Sequence, residues 1–310
     1  MAILLTENDV EELLSFREAI DAVENVFKMM GEGNAINVPR RRVIMRDGVL
    51  HVLQGAVPGL GVAGLKTYLS SRSGTRFVVL LFDLSSGELG AIIEADRLGQ
   101  MRTGAATAVA TKFMRPNASV LGIVGSGVQA RAQFDALREV LRLDKVIIHS
   151  RTKEHAAEFA KYVEGRGIDA RVADNYEDVC RVDVLVTATN SKEPFIDGKW
   201  LPNDIHVNAI GSNWGNRAEL MPSAVMRAEL IAVDDVDQAR SEAGDIIMAG
   251  ADAWQRVVPL SSIVNGLVKP SGGVTLFKSL GIAVEDLAVA KIIYEKARRA
   301  GTYPEFPCNH

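Results

Sequence analysis

The fold of this chain is predicted most directly by one stretch of its sequence, Val120-Leu121-Gly122-Ile123-Val124-Gly125-Ser126-Gly127-Val128-Gln129-Ala130. An apolar run typical of a buried strand comes first, a Gly-x-Gly-x-x-Ala turn follows, and a helical pattern begins near Gln129. A strand, a tight turn and a helix in this order can bind a dinucleotide, because the free N–H groups at the helix start face the negative pyrophosphate. More than a hundred residues precede the stretch, so another folded region must come first.

Each small residue of this loop has a predicted role. Gly125 permits the tight turn, Gly127 lets the backbone come close to the phosphates, and Ala130 is small enough for the helix to pack on the strand. A glycine pattern by itself is also compatible with a strand–helix turn that binds nothing. The other candidate cofactor-binding residues of the loop are Ser126, Val128 and Gln129.

Composition limits the classes of protein to consider. The chain has 310 residues, enough for two domains that each bury a core, with 47% hydrophobic and 24% charged residues. A net charge of −4 gives no reason to expect a nucleic-acid partner. No apolar run approaches the roughly 20 residues that span a bilayer, and the N-terminus lacks the features of a signal peptide.

Nothing in the sequence indicates a metal site. Cys180 and Cys308 have neither metal-ligand spacing nor the pattern of a disulfide framework, which favours a reducing cytoplasm. The nearest acidic group, Asp234-Asp235 with Asp237, is interpreted as the end of a strand followed by a helix cap.

The residues up to about 115 predict an α+β domain. Ser15-Phe16-Arg17-Glu18 has the spacing of a capping box, and apolar residues then recur at helical spacing as far as Gly31. Strand-like runs follow, and an alanine-rich helix from about Asp96 to Phe113 ends the domain before the expected boundary at Arg115-Pro116-Asn117. The strand-like runs are Arg42–Met45, His51–Gln54, Ala63–Leu69, Phe77–Leu84 and Gly90–Ile93.

From Ala118 the pattern alternates between strands and helices, which predicts a parallel, doubly wound sheet in an α/β fold. This Rossmann dinucleotide-binding domain is expected over residues 116–284. A last helix, from about Glu285 to Ala300, is expected to join the first domain with residues 285–310. The predicted strands are Val120–Val124, Lys145–His149, Val184–Thr187, His206–Ile210 and Leu230–Val233, and the helices between them include Gln129–Leu141 and Lys153–Arg166.

The end of the second strand indicates which nicotinamide nucleotide binds. An acidic residue about 20 positions after the glycines accepts hydrogen bonds from the adenosine ribose and favours NAD. This chain has Ser150-Arg151-Thr152 there instead, and a guanidinium with two hydroxyls suits a 2′-phosphate. The sequence therefore favours NADP(H), with NAD(H) as the alternative.

The first domain supplies cationic residues in apolar or small-residue surroundings. Arg40-Arg41-Arg42 follows a proline, Lys66 lies in an apolar strand, and Arg102 lies in the small-residue helix. A buried charge needs a partner, and a substrate carboxylate or a structural salt bridge would each provide one.

Several motifs, taken together in order and spacing, resemble one protein family. They are Arg102-Thr103-Gly104-Ala105, the loop 125–130, Asn208-Ala209-Ile210-Gly211-Ser212 with Glu219-Leu220, and Phe277-Lys278-Ser279-Leu280-Gly281 with Glu285-Asp286. Over nearly its whole length the chain resembles the ornithine cyclodeaminase/mu-crystallin family, which includes archaeal-type alanine dehydrogenases and cyclic ketimine reductases.

The resemblance implies a homodimer that is paired through the N-terminal domain, with the substrate between that domain and the Rossmann domain. It implies that the substrate carboxylate is held by Arg41, or by Arg40 or Arg42 in another register, together with Lys66, Arg102 and Thr75. Further cofactor contacts are expected from Thr103, Thr187, Ala188, Thr189 and Ser279.

Asn213 departs from the family pattern. Cyclodeaminases carry an aspartate at this position, and archaeal-type alanine dehydrogenases tend to carry an acid there. Asparagine forms hydrogen bonds but cannot accept a proton as a base. Oxidation of an ammonium group needs a base to remove a proton, whereas reduction of an imine that is already protonated depends much less on a base. Asn213 therefore favours imine reduction.

The sequence therefore predicts an NAD(P)H-dependent oxidoreductase that acts on the C–N bond of α-imino or α-amino acids. The favoured reaction is reduction of a cyclic imino acid such as pyrroline- or piperideine-2-carboxylate. Arg41 and Arg102 would hold the carboxylate, and Lys66 would either relay protons or only neutralise charge. The alternatives are alanine dehydrogenase, ornithine cyclodeaminase and a crystallin-like protein that binds NADPH or another small ligand.

Overall fold

The computed structural model describes residues 1–307 and shows two compact units. Unit 1 contains Met1–Ala106 and the C-terminal segment from Gly281, and unit 2 contains Thr107–Leu280. The division falls inside the alanine-rich helix, a few residues before the boundary expected near Arg115. Cys308 lies outside the described residues.

Unit 1 is a seven-stranded sheet with helices, and it has the predicted α+β character. Its elements are β1 (Ala2–Leu5), α1 (Glu7–Leu13), α2 (Phe16–Gly31), β2 (Ile36–Met45), β3 (Gly48–Val57), β4 (Val62–Ser71), β5 (Gly74–Asp83), β6 (Leu89–Glu94), α3 (Asp96–Met114), α12 (Ala283–Ala300) and β15 (Glu305–Phe306). The strand order is β15-β1-β6-β5-β4-β3-β2, and only the β1–β6 pair is parallel.

The N-terminal helices begin where their capping residues require. Ser15 and Glu18 form the predicted reciprocal capping box at the start of α2, and Thr6 forms a second box with Asp9 at the start of α1. The apolar residues at helical spacing in α2, among them Ile20, are buried. Local sequence and tertiary burial therefore favour the same helix.

Helix α12 packs against α2 and across β3, β4 and β5. Two glycines make this close approach possible. An added Cβ at Gly64 would overlap the carbonyl oxygen of Leu80 and would lie 2.8 Å from Leu287 of α12, and one at Gly55 would lie 3.2 Å from Val284. The helix thus rests on one face of the sheet.

The opposite face of this sheet is apolar and only partly buried. Side chains alternate between the two faces of a strand, so Leu65 points away from the face that carries Lys66. Leu65 is paired with Leu80, which is paired with Ile92, and all three are partly exposed. At the edge of the sheet, Val43 is 56% exposed.

Unit 2 contains the predicted parallel, doubly wound sheet. Its elements are β7 (Val120–Val124), α4 (Val128–Val140), β8 (Lys145–His149), α5 (Lys153–Glu164), β9 (Asp169–Val172), α6 (Tyr176–Val179), β10 (Val184–Thr187), β11 (Ile205–Ala209), α7 (Pro222–Val225), β12 (Leu230–Val233), α8 (Val236–Glu242), α9 (Gly244–Ala249), α10 (Ala251–Trp254), β13 (Val257–Pro259), α11 (Leu260–Val264) and β14 (Val274–Lys278). The eight strands follow the order β13-β12-β14-β11-β10-β7-β8-β9, and every pair is parallel.

The strand order reverses between β7 and β10. The chain moves outward in one direction from β7 through β8 to β9, and then returns to β10 on the other side of β7. The carboxyl ends of parallel strands at such a reversal leave a crevice in which ligands bind. The glycine loop follows β7 directly, so this topology places it at the crevice.

Within residues 1–307, no helix combines the length and the apolar character needed to cross a membrane. The same part of the chain contains no group of three His, Cys, Asp or Glu residues arranged to hold a metal ion. Asp235 forms the predicted cap at the start of α8, where its side chain accepts a hydrogen bond from the Gln238 N–H.

Candidate active site

A cavity of about 480 Å³ lies at the carboxyl ends of β7 and β10. Its wall contains the loop residues 125–129, the segment 150–152, and Ala188 and Thr189. These are ten of the residues for which the sequence predicts cofactor contacts. The fold therefore brings together three segments that are separated by more than twenty residues in the chain.

The glycine loop has the local geometry that anion binding requires. Helix α4 begins at Val128, and no side chain caps its first N–H groups, so these donors are available to a phosphate. Gly125 has φ +119°, and an added Cβ would overlap the carbonyl oxygen of Ala188, whereas a Cβ at Gly127 would meet nothing within 4 Å. Ala130 is fully buried in the core of unit 2. The tight turn thus depends on Gly125, and the open backbone surface lies at Gly127.

The end of β8 carries hydroxyl and guanidinium groups. The Ser150 hydroxyl lies 2.9 Å from the Ser126 hydroxyl, which links the strand end to the glycine loop. Arg151 is exposed, and its Nη2 donates to the Asn190 side-chain oxygen over 3.3 Å. Thr152 is also exposed and immediately precedes α5.

Aromatic residues form a wall that the sequence did not indicate. His149 meets Tyr176 edge to face, with ring centroids 4.5 Å apart, and Tyr176 stacks on Phe195 at 4.9 Å. All three line the cavity. They come from β8, α6 and the segment after β10, so no sequence spacing connects them. A flat apolar wall of this kind suits the base of a nucleotide.

Glu219 fixes the backbone around the cavity. Its two carboxylate oxygens accept hydrogen bonds from the Thr189 N–H and hydroxyl, the Gly211 N–H and the Thr187 hydroxyl, each over 2.7–2.8 Å. Burial raises the pKa of Glu219 above its ordinary value, against the opposing effect of the Lys278 ammonium. The fully buried carboxyl group therefore ties together the loops that follow β10 and β11.

Three residues expected to bind the cofactor lie elsewhere. Thr187 is fully buried and donates to Glu219, and the Ser279 hydroxyl lies 3.5 Å from an Asp234 carboxylate oxygen. In unit 1, the Thr103 hydroxyl donates to the Gly99 carbonyl one turn earlier in its helix. None of the three lines the cavity of unit 2.

A second group of candidate functional residues lies in unit 1, and we call it the cation cluster. It contains Arg40, Lys66, Arg102, Glu285 and Asp286, all of which are buried. One oxygen of Asp286, Oδ1, accepts from Lys66 Nζ over 2.7 Å and from Arg102 Nε over 2.9 Å. Glu285 accepts from Arg102 Nη1 over 2.9 Å.

The position of Lys66 lowers its basicity. Burial lowers the pKa of Lys66 from 10.5 to about 8, and the positive charge of Arg102 acts in the same direction, while Asp286 opposes both. The cluster contains three cations and two carboxylates, so its formal charge is +1. These residues can therefore attract an anion, and Lys66 can exchange a proton near neutral pH.

The structure places Arg40, rather than Arg41, in this cluster. The register of β2 against β3 shifts between Val38 and Arg41, which puts two residues opposite one. Arg40 is thereby buried, and its Nη2 donates to the Gly281 carbonyl over 2.8 Å. Arg41 is exposed.

Arg42 points to a histidine. Its Nε donates to His51 Nδ1 over 3.2 Å. Burial lowers the pKa of His51 to about 4, with smaller contributions from Arg42 and Arg40. His51 is therefore neutral at physiological pH, and its ring stacks on Tyr68 at 4.3 Å.

Two other predicted residues lie outside the cation cluster. Thr75 is paired with Ser70 at the turn end of the β4–β5 hairpin, four residues along β4 from Lys66, which corresponds to about 13 Å. Asn213 is partly buried in the loop that follows β11 in unit 2.

Known proteins match most of the chain. An alanine dehydrogenase of Archaeoglobus fulgidus is 34% identical over an alignment of 311 positions, which covers 95% of each chain. A ketimine reductase mu-crystallin of Rattus norvegicus is 38% identical over 221 residues, which cover 70% of this chain and 68% of the relative. The solved structure of a Thermococcus litoralis Δ1-pyrroline-2-carboxylate reductase in complex with NADH and L-proline has a TM-score of 0.93, with 29% identity and coverage of 98% of this chain and 100% of that chain. The family model described as ornithine cyclodeaminase/mu-crystallin matches residues 1–301, and the chain belongs to this family.

Proposed function

We propose that this protein reduces a cyclic imino acid, such as pyrroline- or piperideine-2-carboxylate, with NADPH as the favoured reductant. Its class is that of oxidoreductases that act on the carbon–nitrogen group of amino or imino acids. The relatives act on alanine, ketimines and Δ1-pyrroline-2-carboxylate according to their names, so these names alone do not identify the substrate of this chain.

The observation that carries the proposal is the cation cluster. Burying charged side chains is costly unless opposite charges compensate them. The cluster has a formal charge of +1, which one substrate carboxylate would neutralise. Arg40 lies opposite Leu53 on the row of the sheet that also carries Lys66, and Arg102 shares the Asp286 oxygen with Lys66. We assign carboxylate binding to these three cations.

Binding of the carboxylate orients the reacting carbon. A bidentate or two-point contact fixes the planar imino acid, because the C=N carbon is bonded directly to the carboxylate carbon. The nicotinamide group supplies the hydride when it is bound. Lys66 has a pKa of about 8, so it can keep the imine nitrogen protonated during the reaction.

Asn213 favours reduction over the reactions of the other family members. The neutral amide can hydrogen-bond to substrate but cannot take the proton that an ammonium group loses on oxidation. The alternatives remain alanine dehydrogenase, ornithine cyclodeaminase and, outside enzymology, a crystallin-like protein that binds NADPH or another small ligand. Cyclodeamination regenerates its nucleotide, so it gives no net change in nicotinamide absorbance.

The nucleotide pocket supports a dinucleotide and favours NADP(H). Beyond the open backbone at Gly127, the buried Oε1 atom of Gln129 has no hydrogen-bond partner within residues 1–307, which fits a side chain that faces a ligand. Arg151 and Ser150 stand at the cavity wall where the adenosine ribose binds in this fold. The β8 end carries no acidic residue. NAD(H), which the Thermococcus litoralis relative binds as NADH, is the alternative.

We also propose that the protein is a homodimer paired through the sheet of unit 1. The uncovered face has a row of Leu65, Leu80 and Ile92, and contiguous apolar surface of this kind marks an interaction site. A second copy presents the same face, so the two surfaces complement each other in an isologous contact.

The first prediction concerns turnover. We expect loss of NADPH absorbance with pyrroline- or piperideine-2-carboxylate, faster than with pyruvate plus ammonia. Arg40→Ala should raise KM for the imino acid at least about tenfold, because a charge-assisted hydrogen bond is lost. Arg41→Ala, the matched control on the exposed side of the strand, should change KM by less than about twofold. Ammonia release from ornithine without NADPH consumption would reject the reductase, and equal effects of the two variants would reject the assignment of Arg40.

The second prediction separates the two loop glycines. Gly125→Ala should destabilise the unliganded protein by at least about 2 kcal/mol, because the alanine would be strained at this φ and would overlap Ala188. Gly127→Ala should leave stability within about 1 kcal/mol but weaken NADPH binding about tenfold or more, because its methyl group occupies the phosphate side of the cavity. Urea unfolding and fluorescence titration measure the two quantities. Unchanged NADPH affinity in Gly127→Ala would contradict this pocket.

The third prediction concerns the choice between nucleotides. Removal of Arg151 should weaken NADPH binding about tenfold to a hundredfold, the value of a charge-assisted contact to a phosphate, and should change NADH binding little. Lys153→Ala is the control, since Lys153 pairs with Asp174 outside the cavity. Equal losses for both nucleotides in Arg151→Ala, or tighter binding of NADH by the wild type, would contradict the preference.

The fourth prediction concerns assembly. Light scattering should give twice the chain mass of 33.5 kDa for the wild type. Leu65→Lys and Leu80→Lys should give monomers, because each places a charge in the apolar face. Leu267→Lys changes an exposed leucine of unit 2 and should stay dimeric. A monomeric wild type, or dimers in all variants, would exclude this interface.

A further inference from the structure

We propose that Asp286 is a positioning residue that holds the Lys66 ammonium and the Arg102 guanidinium side by side and keeps Lys66 protonated for substrate binding. This inference rests on the proposed function, because it concerns the same carboxylate-binding residues. Asp286 would then determine the highest pH at which Lys66 is still protonated and the substrate still binds.

The hydrogen bonds of Asp286 all serve the two cations. Its Oδ1 atom accepts from Lys66 Nζ and from Arg102 Nε, while Oδ2 is buried without a hydrogen-bond partner within residues 1–307. A structural carboxylate near a helix start usually accepts backbone N–H groups, as Asp235 does. Asp286 has no such bond among the described contacts, so its geometry is that of a bridge between two side chains.

One shared oxygen places two like charges next to each other. Lys66 comes from β4, Arg102 from α3 and Asp286 from α12. Without the carboxylate, the ammonium and guanidinium would repel each other in surroundings that screen charge poorly. With it, both groups are held in a fixed orientation, and a substrate carboxylate can meet both at once.

The charges around Lys66 determine when it loses its proton. Burial, Arg102 and Arg40 all lower the pKa of Lys66, and Asp286 raises it through both its charge and its hydrogen bond. The remaining neighbours on β3 and β5 include Leu53, Val79 and Phe77, which do not titrate. Removing the Asp286 charge therefore lowers the pKa of Lys66 below about 8, and the ammonium is lost at a lower pH.

Glu285 contacts Arg102 and provides the matched control for a change at Asp286. It is adjacent in sequence and equally buried, but its hydrogen bond goes to Arg102 Nη1. The backbone of Gly281, at φ +74°, lies so close to the same guanidinium that any side chain there would overlap it. Glu285 and Gly281 thus fix Arg102, whereas Asp286 also fixes Lys66.

The experiment compares Asp286→Asn with Glu285→Gln over a pH series. The alkaline limb of kcat/KM for the imino acid should move to lower pH by about one unit or more in Asp286→Asn, the effect of losing an adjacent opposite charge. At pH values above the shifted limb, KM should rise about tenfold, and kcat should fall as well because the neutral Lys66 amine no longer keeps the imine protonated. Glu285→Gln should weaken substrate binding but leave the limb near its wild-type pH. A limb that moves equally in both variants, or in neither, would overturn the proposal.

A second readout does not depend on turnover. ¹³C NMR of lysine-labelled protein, with the Lys66 signal assigned from Lys66→Met, should show titration near pH 8 in the wild type and at lower pH in Asp286→Asn. Unchanged titration would overturn the proposal even if activity fell. If the signal shifts but the wild type reduces no imino acid, the proposed function fails and the pairing with Asp286 stands.

A third variant covers the case in which Asp286→Asn does not fold, judged by circular dichroism and NADPH binding. Lys66→Arg keeps the positive charge but does not titrate in this range. Its kcat/KM should lose the alkaline limb seen in the wild type. A limb retained at the same pH would show that another group sets it and would overturn the proposal.

Discussion

The interaction on which unit 1 depends is the compensation of charge inside its helix–sheet layer. Lys66 points from the middle of a strand into the space that α12 fills, where an unpaired ammonium would be strongly unfavourable. Asp286 and Glu285 supply the compensation at the start of α12. The same contacts that make the buried cations tolerable also fix the position of the helix against the strands. Binding chemistry and folding are therefore linked at one cluster.

In unit 2, by contrast, backbone N–H donors beside the cavity have no capping side chain. These donors lie in the first turn of α4, which begins at the wall of the cavity. Helix-start N–H groups without a cap lower the stability of the fold. A bound anion would accept their hydrogen bonds and restore that stability. Glu219, by contrast, satisfies four donors around the same cavity. The rigid part of the wall is thus held by the protein, and the phosphate-facing part is left for the ligand.

Elements with a strong local signal were predicted from the sequence. The strands Val120–Val124, Lys145–His149, Val184–Thr187 and Leu230–Val233 have the predicted bounds, because short apolar runs between turn residues leave little choice. The strand β14 was missed, although it lies inside the sheet between β11 and β12. It ends in Lys278, a residue atypical of a buried strand, whose charge is compensated by the ion pair with Asp245, 2.8 Å away, and by the nearby Glu219 carboxyl group. β14 forms because it pairs with β11 and β12, and no local sequence pattern indicates that pairing.

The site shows the same limit. Lys66 and Arg102 could be chosen from their apolar surroundings, but their acidic partners lie about 180–220 residues further along the chain, where no local pattern connects them. The expectation that Arg41 holds the substrate stays a prediction, but the structure buries Arg40 instead, because a bulge in β2 reverses the faces of the residues that follow it. A run of three arginines contains no signal for such a shift. What identifies Arg40 is the geometry of its row, in which the backbone brings it opposite Leu53 and so toward Lys66. The register of the strands determines which charged residues share one face of the sheet, and the sequence alone does not show that register.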